Sequence, residues 1–279
     1  MTSFGYFCYG LDKLEPSKII EIICDKRFIC FRNRTTVPAK ELVEFYKSVG
    51  EVQRQDEKFM SDEYINEYSD GYRELIPVRN KDISGYGKNG LFAGDETGEI
   101  EWHCANQNRT YSEEITAFSI RKMGDTGGAL CISDNRSPYY EMPENFRFML
   151  DDIDVSYEID DFEWSTKDAF NATEFKTIGG EKLTDIQTDK KPLVLKHPID
   201  NVKGLHYSWP LIKSYVNYDN TEFTKIHNKI LEYILQKKHL YTHLWEEGDV
   251  ILNEQYHSLH RRDSYTGDRL LYRSAIYVT

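Results

Sequence analysis

The 279-residue chain reads as a mainly β protein with flanking helices, folded as a double-stranded β-helix, or jelly-roll barrel. Three observations predict this. Short apolar runs of strand length recur along the chain. Only two segments carry a clear helical stripe. Two polar stretches, near 61–97 and 151–190, are too long for turns and read as insertions. A β-sandwich ranks just below the barrel on patterning alone. No repeat, low-complexity tract or linker divides the sequence, so residues 1–279 form a single domain.

The elements follow in order. Arg27–Arg32 is a short apolar run typical of a buried strand. Pro38 opens a helix that runs to about Val49, with Leu42, Val43, Phe45, Tyr46 and Val49 on its buried side and Gly50 as its stop. Residues 61–97 are rich in Tyr, Asp and Gly and read as a loop, a rim or lid over a site. Strands follow at Glu99–Cys104, Ile115–Ile120 and Ala129–Ile132. The acidic 151–190 insertion packs over one face, and strands return over 193–209. An amphipathic helix spans 222–238, with Ile226, Ile230, Leu231, Ile234 and Leu235 as its stripe. His243–Trp245, Asp249–Leu252, Ser258–Arg261 and Leu270–Tyr277 complete the strands.

Composition excludes several classes. A net charge of −12 leaves no basic face for nucleic acid and no attraction to an anionic membrane. No apolar run approaches the roughly 20 residues that cross a bilayer, and no signal peptide is visible. Five scattered cysteines form neither a disulfide framework nor a zinc-ribbon spacing, which fits a reducing, cytoplasmic setting. With 14% aromatic residues the chain is not disordered.

The residues that point to chemistry are Trp102-His103-Cys104-Ala105 and, much later, Glu254-Gln255 with His260, Arg269 and Arg273. Two histidines and a carboxylate on one face of a metal make a non-heme Fe(II) site with open positions. His103 faces into the fold near a strand end, and alternation makes Ala105 the next inward residue. His260 is expected to approach from the opposite wall. Arg269 and Arg273 are four apart on the last strand and share a face, suited to clamping a carboxylate. His257 points away from His260. His239 and His243 have the spacing of a helical metal pair without an adjacent glutamate, and read as a surface helix end. Cys104 reads as buried packing.

Taken together and in order, these segments resemble the taurine dioxygenase/TfdA family of Fe(II)- and 2-oxoglutarate-dependent oxygenases. Phe28–Asn33 with Pro38 and Glu41 to Glu51 resembles its opening strand and helix. Trp102-His103 resembles the start of its Trp-His-x-Asp motif, and Gly127-Gly128 its Gly-Gly-Asp-Thr turn. Leu195–Pro198 resembles its His-Pro strand, and Trp245–Asp249 followed by Glu254-Gln255 and His260 its late block. The resemblance implies that His103 and His260 bind iron and that Arg269 pairs with the distal carboxylate of 2-oxoglutarate. It places Arg273 near substrate or co-substrate.

The chain departs from the pattern twice. Ala105 stands at the position of the ligand Asp, and Leu130 at that of the co-substrate-binding Thr. Ala105 opens a coordination position to an exogenous anion. Iron-dependent halogenases carry His-x-Ala or His-x-Gly in this way, with chloride on the metal, and Asn106 stands next to the gap as a halide or substrate contact. The alternatives are a hydroxylase or oxidase with a two-histidine iron site, and a non-catalytic homologue that keeps only binding. The implied partners are molecular oxygen and a small polar substrate, an amino acid or amine among them. Tyrosines at 64–86 and 139–140 are candidates to line its pocket, and Asp62, Glu63, Asp70, Glu74, Asp134 and Glu141 to meet its ammonium group. Homo-oligomerisation is left open.

Overall fold

The computed structural model describes residues 4–55, 60–79, 99–105, 113–157 and 190–278, and the backbone of Phe175–Lys176 and Lys182–Leu183. Two sheets form its centre. The larger has seven strands. From one edge it runs Tyr6–Tyr9, Phe28–Arg32, Val250–Glu254, Ile115–Lys122, Leu270–Tyr277 and Glu51–Val52, with Ile76–Val78 also paired to Leu270–Tyr277. Only its first pair is parallel. The smaller sheet runs Leu240–His243, Leu130–Asp134, Ser258–Arg262 and Ile100–His103, all antiparallel. Among the described residues no strand pairing joins the two, so the expected barrel takes the form of two facing sheets.

Alternation along the strands explains the layering. Cys30, Phe118, Ile251 and Leu271 of the larger sheet meet Leu130 and Ile132 of the smaller in one buried cluster. The intervening residues, Ile29, Phe31, Ala117, Leu252 and Tyr272, point to the other face and pack under helices. Phe28–Arg32 is therefore covered on both sides, which is why it reads as a continuous apolar run rather than an alternating one. Each fully buried Ile or Leu here contributes about 1.5–3 kcal/mol.

The predicted first helix is Ala39–Val49, with Pro38 as its cap residue. It buries Leu42, Val43, Tyr46 and Val49, while Phe45 is partly exposed. Gly50 ends it because a Cβ there would lie 2.5 Å from the Tyr277 carbonyl oxygen. A second helix, Pro16–Lys26, packs beside it and was not anticipated. Its signals are present in the sequence: Pro16 at the first turn and Ile19, Ile22 and Ile23 on one side.

Part of the expected 61–97 loop is ordered structure. Asp62–Tyr68 is a helix capped by the Ser61 hydroxyl, followed by the strand Ile76–Val78, and Met60, Tyr64, Ile65 and Ile76 pack together. Residues 80–98 lie outside the described part. The 151–190 insertion begins as the strand Asp154–Tyr157, which pairs with Lys190–Pro192 and Ile212–Tyr215. Most of 158–189 lies outside the described residues.

The late helix is Asn220–Ile234, shifted toward the N-terminus from the predicted 222–238. Asp219 sets its start. Its carboxylate accepts from the Thr221 and Glu222 amides at 2.8 and 2.9 Å, and Glu222 accepts from the Asp219 amide at 3.2 Å. Ile226, Ile230 and Ile234 are buried, but Leu235 is exposed because the helix has ended. No helix among the described residues is long and apolar enough to cross a membrane.

Candidate active site

His103 ends the strand Ile100–His103, and His260 lies in the middle of Ser258–Arg262. The strands are antiparallel neighbours with His260 directly opposite His103. Side chains paired in this way share a face, and the two rings lie 4.2 Å apart between centroids. The expectation that His260 comes from the opposite wall is therefore corrected. Ser258–Arg262 inserts between Leu130–Asp134 and Ile100–His103, which places both histidines in the smaller sheet.

Both rings border a cavity of about 50 Å³ between the sheets. Val78, Phe118 and Leu271 of the larger sheet give it an apolar wall, while Arg262, Arg269 and Arg273 supply its cations.

The histidines are neutral. Burial pushes His103 down to about 4, with the positive charges of Arg273 and Arg262 adding to the effect. Burial, His103 and Arg273 push His260 well below its ordinary value. The His103 Nδ1 lies 2.6 Å from the Glu101 carbonyl oxygen. As the donor in that bond Nδ1 carries the proton, which makes Nε2 the unprotonated nitrogen. The His260 Nδ1 is buried with no hydrogen-bond partner. Two adjacent neutral imidazoles, one held in a fixed tautomer, fit a divalent transition metal.

Arg269 sits just before the last strand and is 3% exposed. Its guanidinium packs over the rings of Tyr265 and Trp245, and its Nη1 has no hydrogen-bond partner. Burial, with Arg262 nearby, lowers its pKa to about 10. Among the described residues no carboxylate pairs with it, and a buried cation without a counter-charge costs several kcal/mol, so this corner of the cavity suits an anion. Gly128 makes room for it. Its φ is +74°, and a Cβ there would lie 3.1 Å from the Arg269 Nε. Arg273 also borders the cavity, as its four-residue spacing from Arg269 predicts, but it pairs with the fully buried Glu113. Arg262 was missed. It lies two residues after His260 on the same strand, so alternation would have found it.

Ala105 is buried one residue past Cys104, and its amide donates to the Gln255 Oε1 at 2.9 Å. Gln255 is fixed in turn by bonds from its Nε2 to the Asn253 carbonyl and side chain. The position that would carry a ligand carboxylate thus holds a methyl group beside a locked backbone. Asn106 lies outside the described residues. Leu130 borders the cavity with hydrocarbon where the family pattern has a hydroxyl.

Other candidates lie elsewhere. His257 faces away from the cavity and lies 3.0 Å from the Leu195 carbonyl oxygen. His239 and His243 do not form a surface helix end. Both are buried, on a short turn and a strand, because the helix stops at Ile234. Cys104 is buried packing, as expected, with its thiol pushed up to about 12 by burial.

None of the described carboxylates proposed for an ammonium group borders the cavity. Asp62 pairs with Arg73, Asp70 with Arg121, Glu74 with Lys47 and Glu141 with Lys238. Asp134 caps the turn at Arg136 and Ser137. Asp62, Asp70, Glu74 and Glu141 are thus held by cations distant in sequence, which the linear chain does not reveal. Tyr64 and Tyr139 likewise sit in other clusters.

A separate ionic network surrounds Glu254. This carboxylate is fully buried, lies 3.2 Å from the His197 Nε2 and 3.4 Å from the Arg27 Nη1, and accepts from the His257 amide. His197 is raised to about 9, by hydrogen bonds and charge from Cys24 and Glu254 that outweigh its burial. Those bonds and His197's positive charge hold Glu254 far below the ordinary carboxylate range despite burial.

The family model for "Taurine catabolism dioxygenase TauD, TfdA family" matches residues 10–275. The chain belongs to this family. Among solved structures it is similar to a Burkholderia xenovorans protein assigned as an alpha-ketoglutarate-dependent taurine dioxygenase. That match has 16% identity and a TM-score of 0.70, over 99% of this chain and 87% of the other. It is also similar to AAD-2 in complex with Mn(II) and N-oxalylglycine, at 16% identity and TM-score 0.67, over 100% and 96% of the two chains. At these identities the likeness establishes the fold. No curated protein matches the chain.

Proposed function

We propose that this TauD/TfdA member is an iron- and 2-oxoglutarate-dependent oxidoreductase that acts on an unactivated C–H bond of a small polar molecule. The carrying observation is the neutral His103–His260 pair facing the same cavity as the buried Arg269. His103 and His260 would hold the metal. When bound, iron supplies the one-electron chemistry that couples dioxygen and 2-oxoglutarate to C–H cleavage. Arg269 pairs with the distal carboxylate of 2-oxoglutarate through two parallel hydrogen bonds. Leu130 adds no hydrogen bond there, so Arg269 carries most of that recognition. Arg273, oriented by Glu113, faces substrate or co-substrate. Val78, Phe118 and Leu271 keep water from the reacting carbon.

The missing carboxylate gives the finer reading. Apart from its apolar wall, the cavity is lined by three arginines and two neutral imidazoles, with no carboxylate among the described residues that border it. We infer that an exogenous anion, chloride, would complete the metal's ligands and that the native reaction is radical halogenation. The same cationic lining favours a substrate with an anionic group, amino acids included.

Anaerobic addition of Fe(II) and 2-oxoglutarate, with and without chloride, tests both levels. A visible charge-transfer band, followed by oxygen uptake and succinate formation on exposure to air, is the expected result. Absence of band and succinate overturns the enzyme reading in favour of a binding-only homologue. A band and succinate yield indifferent to chloride overturn halogenation and leave a two-histidine hydroxylase or oxidase. Ala105→Asp should abolish the chloride response, and a variant that keeps it in full excludes halide binding in that gap.

A further inference from the structure

Cys30, His243 and Asp249 come from three separate places in the chain and converge between the two sheets. Cys30 lies on Phe28–Arg32 of the larger sheet, and Asp249 immediately precedes the neighbouring strand Val250–Glu254. His243 ends Leu240–His243, the edge strand of the smaller sheet. All three are buried, at 0, 0 and 1% exposure. Their thiol, imidazole and carboxylate atoms all lie within 4.8 Å of one another.

The polar atoms of this cluster are only partly satisfied. The Asp249 Oδ2 accepts from the Glu246 amide at 2.9 Å and lies 3.6 Å from the Arg32 Nη1, but its Oδ1 is buried and, among the described residues, has no hydrogen-bond partner. The His243 Nε2 lies 3.0 Å from the Asp249 Oδ2, yet the two are not aligned as a hydrogen bond. Two ligands of one tetrahedral metal, each about 2.0–2.1 Å from it, stand about 3.3–3.4 Å apart, a few tenths of an ångström beyond this separation. The His243 Nδ1 lies 3.1 Å from the Tyr241 hydroxyl, and a bond from Nδ1–H to that oxygen leaves Nε2 as the free donor. A buried unsatisfied group calls for an ion or water as its partner.

We propose that Cys30, His243 and Asp249 form a second metal site, structural and distinct from the histidine pair, that holds Zn²⁺ with a water as fourth ligand. One thiolate and one carboxylate balance the ion's two charges, and the neighbouring Arg32 cation is balanced in turn by Glu246. On binding, the Cys30 S–H bond breaks, a sulfur–metal bond forms and the proton leaves to solvent. Thiolate selects zinc over the ferrous ion suited to the cavity. The ion would clip one sheet to the other. Trp245 stands between the two sites: it borders the cavity and packs edge-on against His243, 4.8 Å between centroids.

A second such cluster, Cys24, His197 and Asp200, is a poor site by comparison. Both Asp200 oxygens accept from Arg136, so this carboxylate, unlike Asp249, has no oxygen left without a partner. The His197 Nε2 lies 3.2 Å from Glu254.

Elemental analysis of the purified full-length chain tests the proposal. The wild type should hold about one zinc per chain after dialysis against a mild chelator. His103→Ala/His260→Ala should keep that zinc, and Cys30→Ser or Asp249→Asn should lose it. Protein produced with cobalt in place of zinc should show a thiolate-to-cobalt band in the near ultraviolet, absent from Cys30→Ser. Wild-type protein free of zinc and without the cobalt band overturns the site, whether or not the variants fold. So does zinc that remains in Cys30→Ser, or that leaves with the cavity histidines.

Discussion

Two pairs of buried histidines make opposite use of the same side chain. His103 and His260 stand 4.2 Å apart with no carboxylate among the groups that shift them. Both are driven neutral. His197 and His257 stand 5.7 Å apart beside the fully buried Glu254. There His197 rises to about 9, while burial drives His257 down to about 3. One carboxylate separates the two cases. Where it is present, an imidazolium is stabilised and the polar atoms are used up in an ion pair. Where Ala105 stands instead, no carboxylate is among the groups that raise the imidazoles, and both stay neutral. The two regions are joined in sequence: Glu254 faces the network, and the next residue, Gln255, holds the Ala105 backbone.

The sharpest test of this contrast removes one member from each side. Glu254→Gln should destabilise the protein by about 3 kcal/mol, since it removes the nearest carboxylate from His197 and Arg27 and leaves them only Asp200 and Asp134, 3.6 and 3.9 Å away. Urea unfolding measures this. His260→Gln should change stability by less than about 1 kcal/mol while weakening Fe(II) binding by about 100-fold or more. Comparable stability losses in both variants would erase the distinction.

The pH dependence of stability is the next largest effect. The folded-state pKa of His197 lies above its ordinary 6.5, at about 9. Its contribution is therefore complete below pH 6.5 and is lost as pH rises through 9. The stability difference between wild type and His197→Gln should shrink over that window by up to about 3 kcal/mol. Glu254 is lowered, so its contribution is present above its ordinary 4.5 and fades as pH falls. A flat difference from pH 6 to 10 would show that His197 is not cationic.

Within the cavity, Arg269 and Arg273 offer a smaller version of the same comparison. Arg269→Ala should weaken 2-oxoglutarate binding by about 100-fold, near 3 kcal/mol, without loss of stability, because the buried cation lacks a protein counter-charge. Isothermal titration and thermal melting provide the two readings. Arg273→Ala should cost stability instead, since it removes the cation paired with the fully buried Glu113. Gly128→Ala is the mildest change. At φ +74°, with a Cβ 3.1 Å from the Arg269 Nε, it should cost about 1 kcal/mol and weaken 2-oxoglutarate binding several-fold. Unchanged affinity would mean that the glycine turn does not position Arg269.

Much of this was legible in the linear chain. Periodicity located the Ala39–Val49 helix and the strands that carry His103, His260 and Arg273, because burial on one face imposes a spacing that local sequence records. Motif order pointed to the histidine pair, to Arg269 and to the absence at Ala105. The helix Pro16–Lys26 and the cavity's Arg262 carried readable signals that went unused. Other features left no local trace. Strand order alone makes His103 and His260 neighbours in one sheet, since their pairing depends on which strand lies between which. The carboxylates suggested for substrate are committed to partners such as Arg73 and Lys47, and only folding brings these together. Cys30, His243 and Asp249 meet for the same reason. Chemistry that depends on one residue type at one spacing is written along the chain, whereas charge pairing and protonation depend on distances and burial that exist only once the sheets have packed.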